Sequence, residues 1–276
     1  MTDTMNADMN ETVHGDMTDT MKAISQDELG GPEVLKLVTL PTPRPGVSEI
    51  LIRVHAAAVN PIDAANRETG VFIGKPPFVL GWDISGTVEA VGFGVTIYEP
   101  GDEVFGMLPF PKVHGSYAEY VVGPTRAFVR KPEGLDHVTA AAMPMVGLTA
   151  WQALVDTAAI DYAGPDFTEL VDQQDVVLDV VGDGYAAKAL DVLKPGGILV
   201  STQPPSLAAV ADRAAERGVR LAGILVEADD AGMLALADLA AAGKVLPTID
   251  ATYPLDQAGA AQSAKHGPGK VVLKMV

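Results

Sequence analysis

The sequence predicts a protein of mixed class, an antiparallel β domain followed by a parallel α/β domain. Two features lead there. Short β-branched runs separated by Gly and Pro fill the first half of the chain, and alternating apolar strands and alanine-rich helices fill the second. The chain has 276 residues, enough for two such domains. It contains no cysteine, which removes disulfides, thiolate nucleophiles and thiolate metal sites together and fits a reducing, cytoplasmic setting. Its formal net charge of −17 argues against a nucleic-acid surface, which needs a basic stripe. No apolar run approaches the roughly 18 residues needed to cross a bilayer, so no membrane partner is expected.

Residues 1–20, MTDTMNADMNETVHGDMTDT, hold no lysine or arginine and no apolar period. They lack the positive start of a signal peptide and are expected to form a disordered acidic tail in which His14 is idle. From Met21, strands are expected at KAISQ, VLKLVTL, EILIRVHAAAV, GTVEAVG, DEVFGML and YAEYVV, a spacing that suggests a barrel-like domain over 21–145. After Pro132 the character becomes helical, LDHVTAAAMPMVGLTAWQALVDTA. A βαβαβ rhythm follows: DVVLDVVG, GYAAKALDVLKPGG, ILVST, SLAAVADRAAERG, VRLAGILV and AGMLALADLAAAGKV. That rhythm implies a parallel sheet with crossover helices, over 146–252. The segment 253–276 ends in a strand, KVVLKMV, that returns to the first domain.

The stretches AAAVNPIDAANRETG (56–70), GWDISGTVEAVG (81–92), GDEVFGM (101–107) and GSYAEYVV (115–122) are followed in order by AAMPMVGLTAWQAL, VVLDVVGDG and LKPGGILVS. Together they resemble the medium-chain dehydrogenase/reductase superfamily, in its zinc-independent quinone oxidoreductase-like branch. The resemblance implies a GroES-like β-barrel domain and a Rossmann-like parallel sheet domain. It implies hydride transfer from NADPH, or NADH, to a quinone or activated enone. It also implies pairing of two copies through a strand within 219–226.

Zinc-dependent relatives place a cysteine near Asn60 and a His-Glu pair where this chain has Trp82-Asp83, so no zinc is expected. One carboxylate cannot supply the three or four converging donors that zinc requires. His55, His114, His137 and His266 show no metal-binding spacing. The resemblance makes Asn60 a catalytic and cofactor-orienting residue, although an Asx-turn before Pro61 would also account for it. It makes Thr149, Gly182, Leu225 and Val226 cofactor contacts, the last two through backbone. Asp63 and Asp83 read mainly as structural acids, Lys270 as a solvated lysine, and Phe72, Trp82 and Phe105 as candidates for a pocket wall that read first as core aromatics. Ala65 stands where quinone-reducing relatives often have tyrosine, which weakens quinone as the acceptor.

One expected part is absent from the sequence. Relatives place a strand, a glycine-rich turn and a helix between segments like GLTAWQAL and IDYAGPDFTELV, whereas this chain joins the two directly. The turn normally cradles the dinucleotide pyrophosphate on backbone N–H groups at a helix N-terminus. A shortened Rossmann-like domain follows, together with a second functional reading: a non-catalytic derivative that acts through protein association.

Overall fold

A computed structural model describes residues 19–112, 115–154, 167–169, 171, 173–182, 184–265 and 267–275. The expected tail therefore lies, up to residue 18, outside the described residues, as do His14, His114, His266 and the junction at 155–166. Two units can be distinguished, one comprising Met1–Leu148 with Glu227–Val276 and the other Thr149–Val226.

The larger unit is built around β3 (Glu49–Val59), whose Ile50, Leu51, Ile52, Val54 and Ala56–Ala58 are all buried. A run buried on both faces, not an alternating one, marks a central strand covered on each side. On one edge β3 pairs antiparallel with β5 (Asp83–Val91), which continues to β6 (Glu103–Met107) and β8 (Phe128–Arg130). On the other it pairs with β13 (Lys270–Lys274), which lies parallel to β12 (Ile249–Pro254). β7 (Tyr120–Pro124) also pairs with β3. A second sheet joins β1 (Thr20–Gln26), β2 (Lys36–Pro41) and β4 (Phe78–Val79). A bridge between Ala23 and Ala118 links it to the segment before β7. The barrel-like expectation is thus met as two bridged sheets, antiparallel except for the β12–β13 pair; no closed ring of pairing runs through the described strands.

Small residues set the helix contacts here. Ala141 and Ala142, at the end of α2 (His137–Ala141), pack on Ala56, Ala58 and Val272, and the lack of bulk lets the helix approach β3 and β13 closely. Asp136 caps α2, its carboxylate accepting from the Thr139 N–H at 2.9 Å. Helix α1 (Pro61–Thr69) follows β3 directly, with Pro61 at its first position and Gly70 closing it in the left-handed region at φ 63°. A Cβ at Gly70 would fall 2.0 Å from the Gly74 carbonyl oxygen, so no other residue fits. α7 (Asp230–Ala241) belongs to this unit, and Leu236 packs over Gly147 of α3 (Pro144–Leu154).

The smaller unit carries a parallel sheet ordered β11 (Arg220–Gly223), β10 (Leu193–Ser201), β9 (Gln174–Asp179). α4 (Gly184–Asp191), α5 (Pro204–Ala209) and α6 (Ala211–Glu216) supply a core of Ala186, Ala189, Leu190, Leu207, Val210 and Ala214 around Leu193, Leu199 and Val219. β10 begins at Leu193, five residues before the expected ILVST strand, with a register shift between Leu193 and Ile198 that absorbs Pro195-Gly196-Gly197. No helix among the described residues is long and apolar enough to cross a membrane.

Candidate active site

The turn from β3 into α1 places Asn60 at the helix N-cap, 5% exposed and in extended backbone geometry. Its backbone N–H donates to Asp63 Oδ2 at 2.7 Å. That is the reciprocal half of a capping box, in which the acid one turn into the helix satisfies the cap residue's own N–H. The Asn60 side chain is engaged on β5 and β13. Its Nδ2 donates to Asp83 Oδ2 at 2.9 Å, and its Oδ1 accepts from the ammonium of Lys270, at the start of β13. Lys270 Nζ also donates to the Val59 carbonyl at 3.1 Å and lies 4.0 Å from Asp83 Oδ2.

Asp83 is fully buried, and its second oxygen accepts the Met145 N–H at 2.8 Å. Burial pushes its carboxyl above the usual range, while Lys270 and the Asn60 amide pull against that shift. Asp63, equally buried, also accepts from the Tyr117 hydroxyl at 2.9 Å on the same Oδ2, and its Oδ1 has no partner. Burial raises the Asp63 pKa to about 7 despite the donors from Asn60 and Tyr117. The same burial, with Asp63 alongside, raises the Tyr117 phenol. Gln262 Nε2 donates to the Tyr117 oxygen at 3.4 Å, and the buried Arg67 donates to Gln262 Oε1. Two buried acids thus flank one asparagine, with one ammonium directly against it.

The expectation of a solvated Lys270 is corrected. Its side chain is 15% exposed and engaged on three sides. Asp63 and Asp83 hold neighbouring backbone, as expected of structural acids, and they also hold the two ends of Asn60. Trp82 and Phe105 are core residues at 1% and 0% exposure, whereas Phe72 is 41% exposed. Phe72 and Trp82 both meet Phe110 edge-on, at 5.2 and 5.0 Å. His55 and His137 stack with ring centroids 4.2 Å apart and bond to Thr87, Ser85 and Glu103. Among the described residues no group of three or more His, Asp or Glu could hold a metal ion.

The other sequence-derived candidates lie in the smaller unit. Thr149 sits half-buried in α3, and Gly182 lies three residues beyond the end of β9 at φ 84°. A Cβ at Gly182 would stand 3.0 Å from Gln203 Cγ. β11 stops at Gly223, so Leu225 (47% exposed) and Val226 (9%) occupy the connection after the strand and not its end. The turn at Gly182 bears on whether a dinucleotide's phosphates fit here. Its Val181 and Gly182 N–H groups donate to Asp179 Oδ1 at 3.0 and 2.8 Å. Asp179 Oδ2 accepts from Ser201 and Ser206. These backbone donors are already occupied by a carboxylate, so the turn is not a phosphate cradle. The polar cluster around Asn60, by contrast, has the donor chemistry that a carboxamide or carbonyl oxygen requires.

Residues 46–133 match the family described as alcohol dehydrogenase GroES-like domain, and residues 155–273 match zinc-binding dehydrogenase. Human quinone oxidoreductase is 37% identical over 143 residues, which take in 51% of this chain and 42% of that protein. The chain thus matches less than half the length of that relative. A chloroplastic NADPH-dependent alkenal/one oxidoreductase of Arabidopsis thaliana is 28% identical over 333 positions, covering 97% of this chain and 83% of that one. Among solved structures, the quinone oxidoreductase of Coxiella burnetii superposes with a TM-score of 0.83 at 29% identity, over 93% of this chain and all of the other. The ordered sequence motifs, the antiparallel β unit with its parallel companion and both domain matches lead to one assignment: this chain belongs to the medium-chain dehydrogenase/reductase superfamily, among quinone oxidoreductase-like relatives.

Proposed function

We propose that the protein is an oxidoreductase that reduces an activated enone or a quinone with NADPH, without zinc. The observation that carries this reading is the buried Asn60 amide held between Asp83 and Lys270, with Asn60 and Asp83 inside the residues that match the GroES-like domain of alcohol dehydrogenases. When bound, the nicotinamide supplies a hydride, and the protein's task is to orient and to exclude water. Asn60 presents an amide donor to a carbonyl or carboxamide oxygen. Charge developing on an acceptor oxygen is stabilised most by a donor that is already fixed in place. Thr149, Gly182 and the backbone of Leu225 and Val226 enter this reading as cofactor contacts on the strength of the resemblance. Ala65 favours an enone over a quinone. The test is saturable quenching of the chain's fluorescence by NADPH, then NADPH oxidation against a panel of enones and quinones; no binding at millimolar cofactor rejects the reading.

A second reading, a non-catalytic derivative acting through association with another protein, has one observation in its favour. Among the described residues β9 ends the parallel sheet, with Val176 and Val180 exposed, and the turn after it has spent its donors on Asp179. Open apolar edges invite pairing. The homodimer implied by the resemblance, through a strand within 219–226, is tested separately by light scattering, and a clean monomer rejects it.

A further inference from the structure

Lys270 and Asn60 stand 210 residues apart in sequence, and no spacing rule connects them. In the fold they share a buried cluster in which the chemistry of each partner leaves little freedom. An ammonium can only donate, and an ionised carboxylate can only accept. An asparagine between them must turn its oxygen to the ammonium and its NH2 to the carboxylate. Turned the other way, it would set NH2 against the ammonium and oxygen against the carboxylate, leaving two buried polar groups unpaired and opposed. We propose that Lys270 is a positioning residue for the reduction proposed above. Its ammonium, anchored on the Val59 carbonyl and facing Asp83, locks the Asn60 amide in one orientation, so that the side chain meets a ligand as a hydrogen-bond donor.

Three contacts support a built arrangement. Lys270 is held by Val59 as well as by Asn60, so the ammonium is fixed without the amide. Asp83 is fixed independently by the Met145 N–H. The Asn60 backbone is fixed by Asp63. Each member is therefore placed by a different part of the chain, and the amide orientation is the one remaining variable, which the charges set. Asn60 has one further N–H, and the site accordingly selects ligands with an acceptor oxygen over ligands with a donor at that point. This inference rests on the oxidoreductase reading for its consequence, but its geometry can be tested without it.

The test uses the full chain, 15N-labelled, with the Asn60 side-chain NH2 resonances assigned by their loss in Asn60→Ala. In the native protein these two protons should be widely split and protected, as expected for one bonded to a buried carboxylate. Lys270→Arg should preserve the split. Lys270→Met takes from the buried Asp83 the charge that most opposes its protonation. A protonated Asp83 can donate to the Asn60 oxygen, so the split should collapse or two sets should appear. Should Lys270→Met fail to fold, Asp83→Asn/Lys270→Met removes both buried charges. The amide introduced in place of Asp83 keeps its oxygen on the Met145 N–H and turns its NH2 toward Asn60. The Asn60 side chain should then reverse, its own NH2 losing the carboxylate partner while the fold persists. An unchanged amide pair in either Met variant overturns the proposal. In turnover with NADPH and an enone, the Met variants should lose at least tenfold in kcat with a smaller change in KM. Native kcat in a folded Met variant would overturn the functional consequence. Absence of NADPH binding by the native chain would instead reject the oxidoreductase reading, with the resonance result still deciding the role of Lys270.

Discussion

Replacing Asp63 by asparagine should change the way stability depends on pH, and the structure sets the sign. Asp63 is fully buried, accepts from the Asn60 N–H and the Tyr117 hydroxyl on one oxygen, and has a pKa near 7 in the fold. In the unfolded chain the same carboxyl returns to about 3.9. Between these values the folded state keeps a proton that the unfolded state releases. The stability associated with Asp63 is therefore complete below about pH 4 and is lost as pH rises toward 7. A separation of roughly three units, at about 1.36 kcal/mol each, makes the loss about 4 kcal/mol, an upper figure because Asp63 is coupled to Asp83 and Lys270. Against a typical total of roughly 5–15 kcal/mol this is a large share.

A carboxamide in place of Asp63 cannot titrate. It can still accept from Asn60 and Tyr117 through its oxygen, but its NH2 falls where Asp63 Oδ1 already lacks a partner. That leaves a pH-independent penalty of about 1–3 kcal/mol. Asp63→Asn should therefore be less stable than the native protein near pH 4 and more stable near pH 8, so the two curves cross. The larger unit can be followed separately by urea titration of Trp82 fluorescence in a Trp151→Phe background, since the chain has two tryptophans and Trp82 is buried in that unit. Parallel curves with a constant offset would refute the reasoning, because they would mean that Asp63 keeps an ordinary carboxylate pKa in the fold.

Asn60→Ala should reduce kcat/KM for NADPH-dependent enone reduction by at least tenfold and cost about 1–3 kcal/mol of stability, since it strips a partner from both Asp83 and Lys270; steady-state kinetics with a denaturant titration measures both. Gly182→Ala, at φ 84° and with a Cβ arriving 3.0 Å from Gln203, should destabilise the smaller unit by about 1–2 kcal/mol, read as lower hydrogen-exchange protection in β9 and β10. His137→Gln addresses the acid limb. Burial holds His55 and His137 below the ordinary value of 6.5, so the fold disfavours their protonation and loses stability as pH falls from about 6.5 through the depressed folded values. The substitution should flatten that limb in a thermal-melting series, and an unchanged limb would show that the stacked pair does not govern it.

The parts of this structure legible in the sequence are those in which local pattern and environment agree. β3 and β5 are long, β-branched and bounded by turn residues, and the helices of the smaller unit have alanine-rich apolar faces. Helix α1 is not legible in this way because it buries Asp63, Asn66 and Arg67, so an apolar stripe never appears. Within β10, Pro195-Gly196-Gly197 reads as the end of a helix, yet a register shift accommodates these residues inside a strand. β12 gives no clear signal because its residues are half-exposed or exposed and it pairs at the sheet edge. At the site, Asn60 can be found from its motif. Lys270 cannot, since its partners come from β3 and β5 and its neighbours in sequence are the turn-forming Gly267-Pro268-Gly269. The available signal is charge: an acid inside an apolar motif, as at Asp83, is stabilised as a carboxylate by a cation brought in from elsewhere in the chain.

The cluster around Asn60 is complete within the larger unit, whereas the phosphate-holding turn expected of the smaller unit has no counterpart among the described residues. The 333-position alignment with the plant oxidoreductase takes in 97% of a 276-residue chain, so it contains dozens of positions at which this chain has no residue. We propose that these positions include the shortening between GLTAWQAL and IDYAGPDFTELV. The binding energy for a dinucleotide should then fall unequally on its two ends. If pyrophosphate and adenosine contacts are lost while recognition of the carboxamide persists, reduced nicotinamide mononucleotide should bind almost as well as NADPH, within about tenfold, a difference of roughly 1.4 kcal/mol. An intact pyrophosphate cradle adds several charge-assisted hydrogen bonds and should separate the two by orders of magnitude. Calorimetric titration of both ligands decides the matter: a preference for NADPH of roughly a thousandfold or more, about 4 kcal/mol, would mean that another part of the chain grips the phosphates, and the shortened-domain argument would fall.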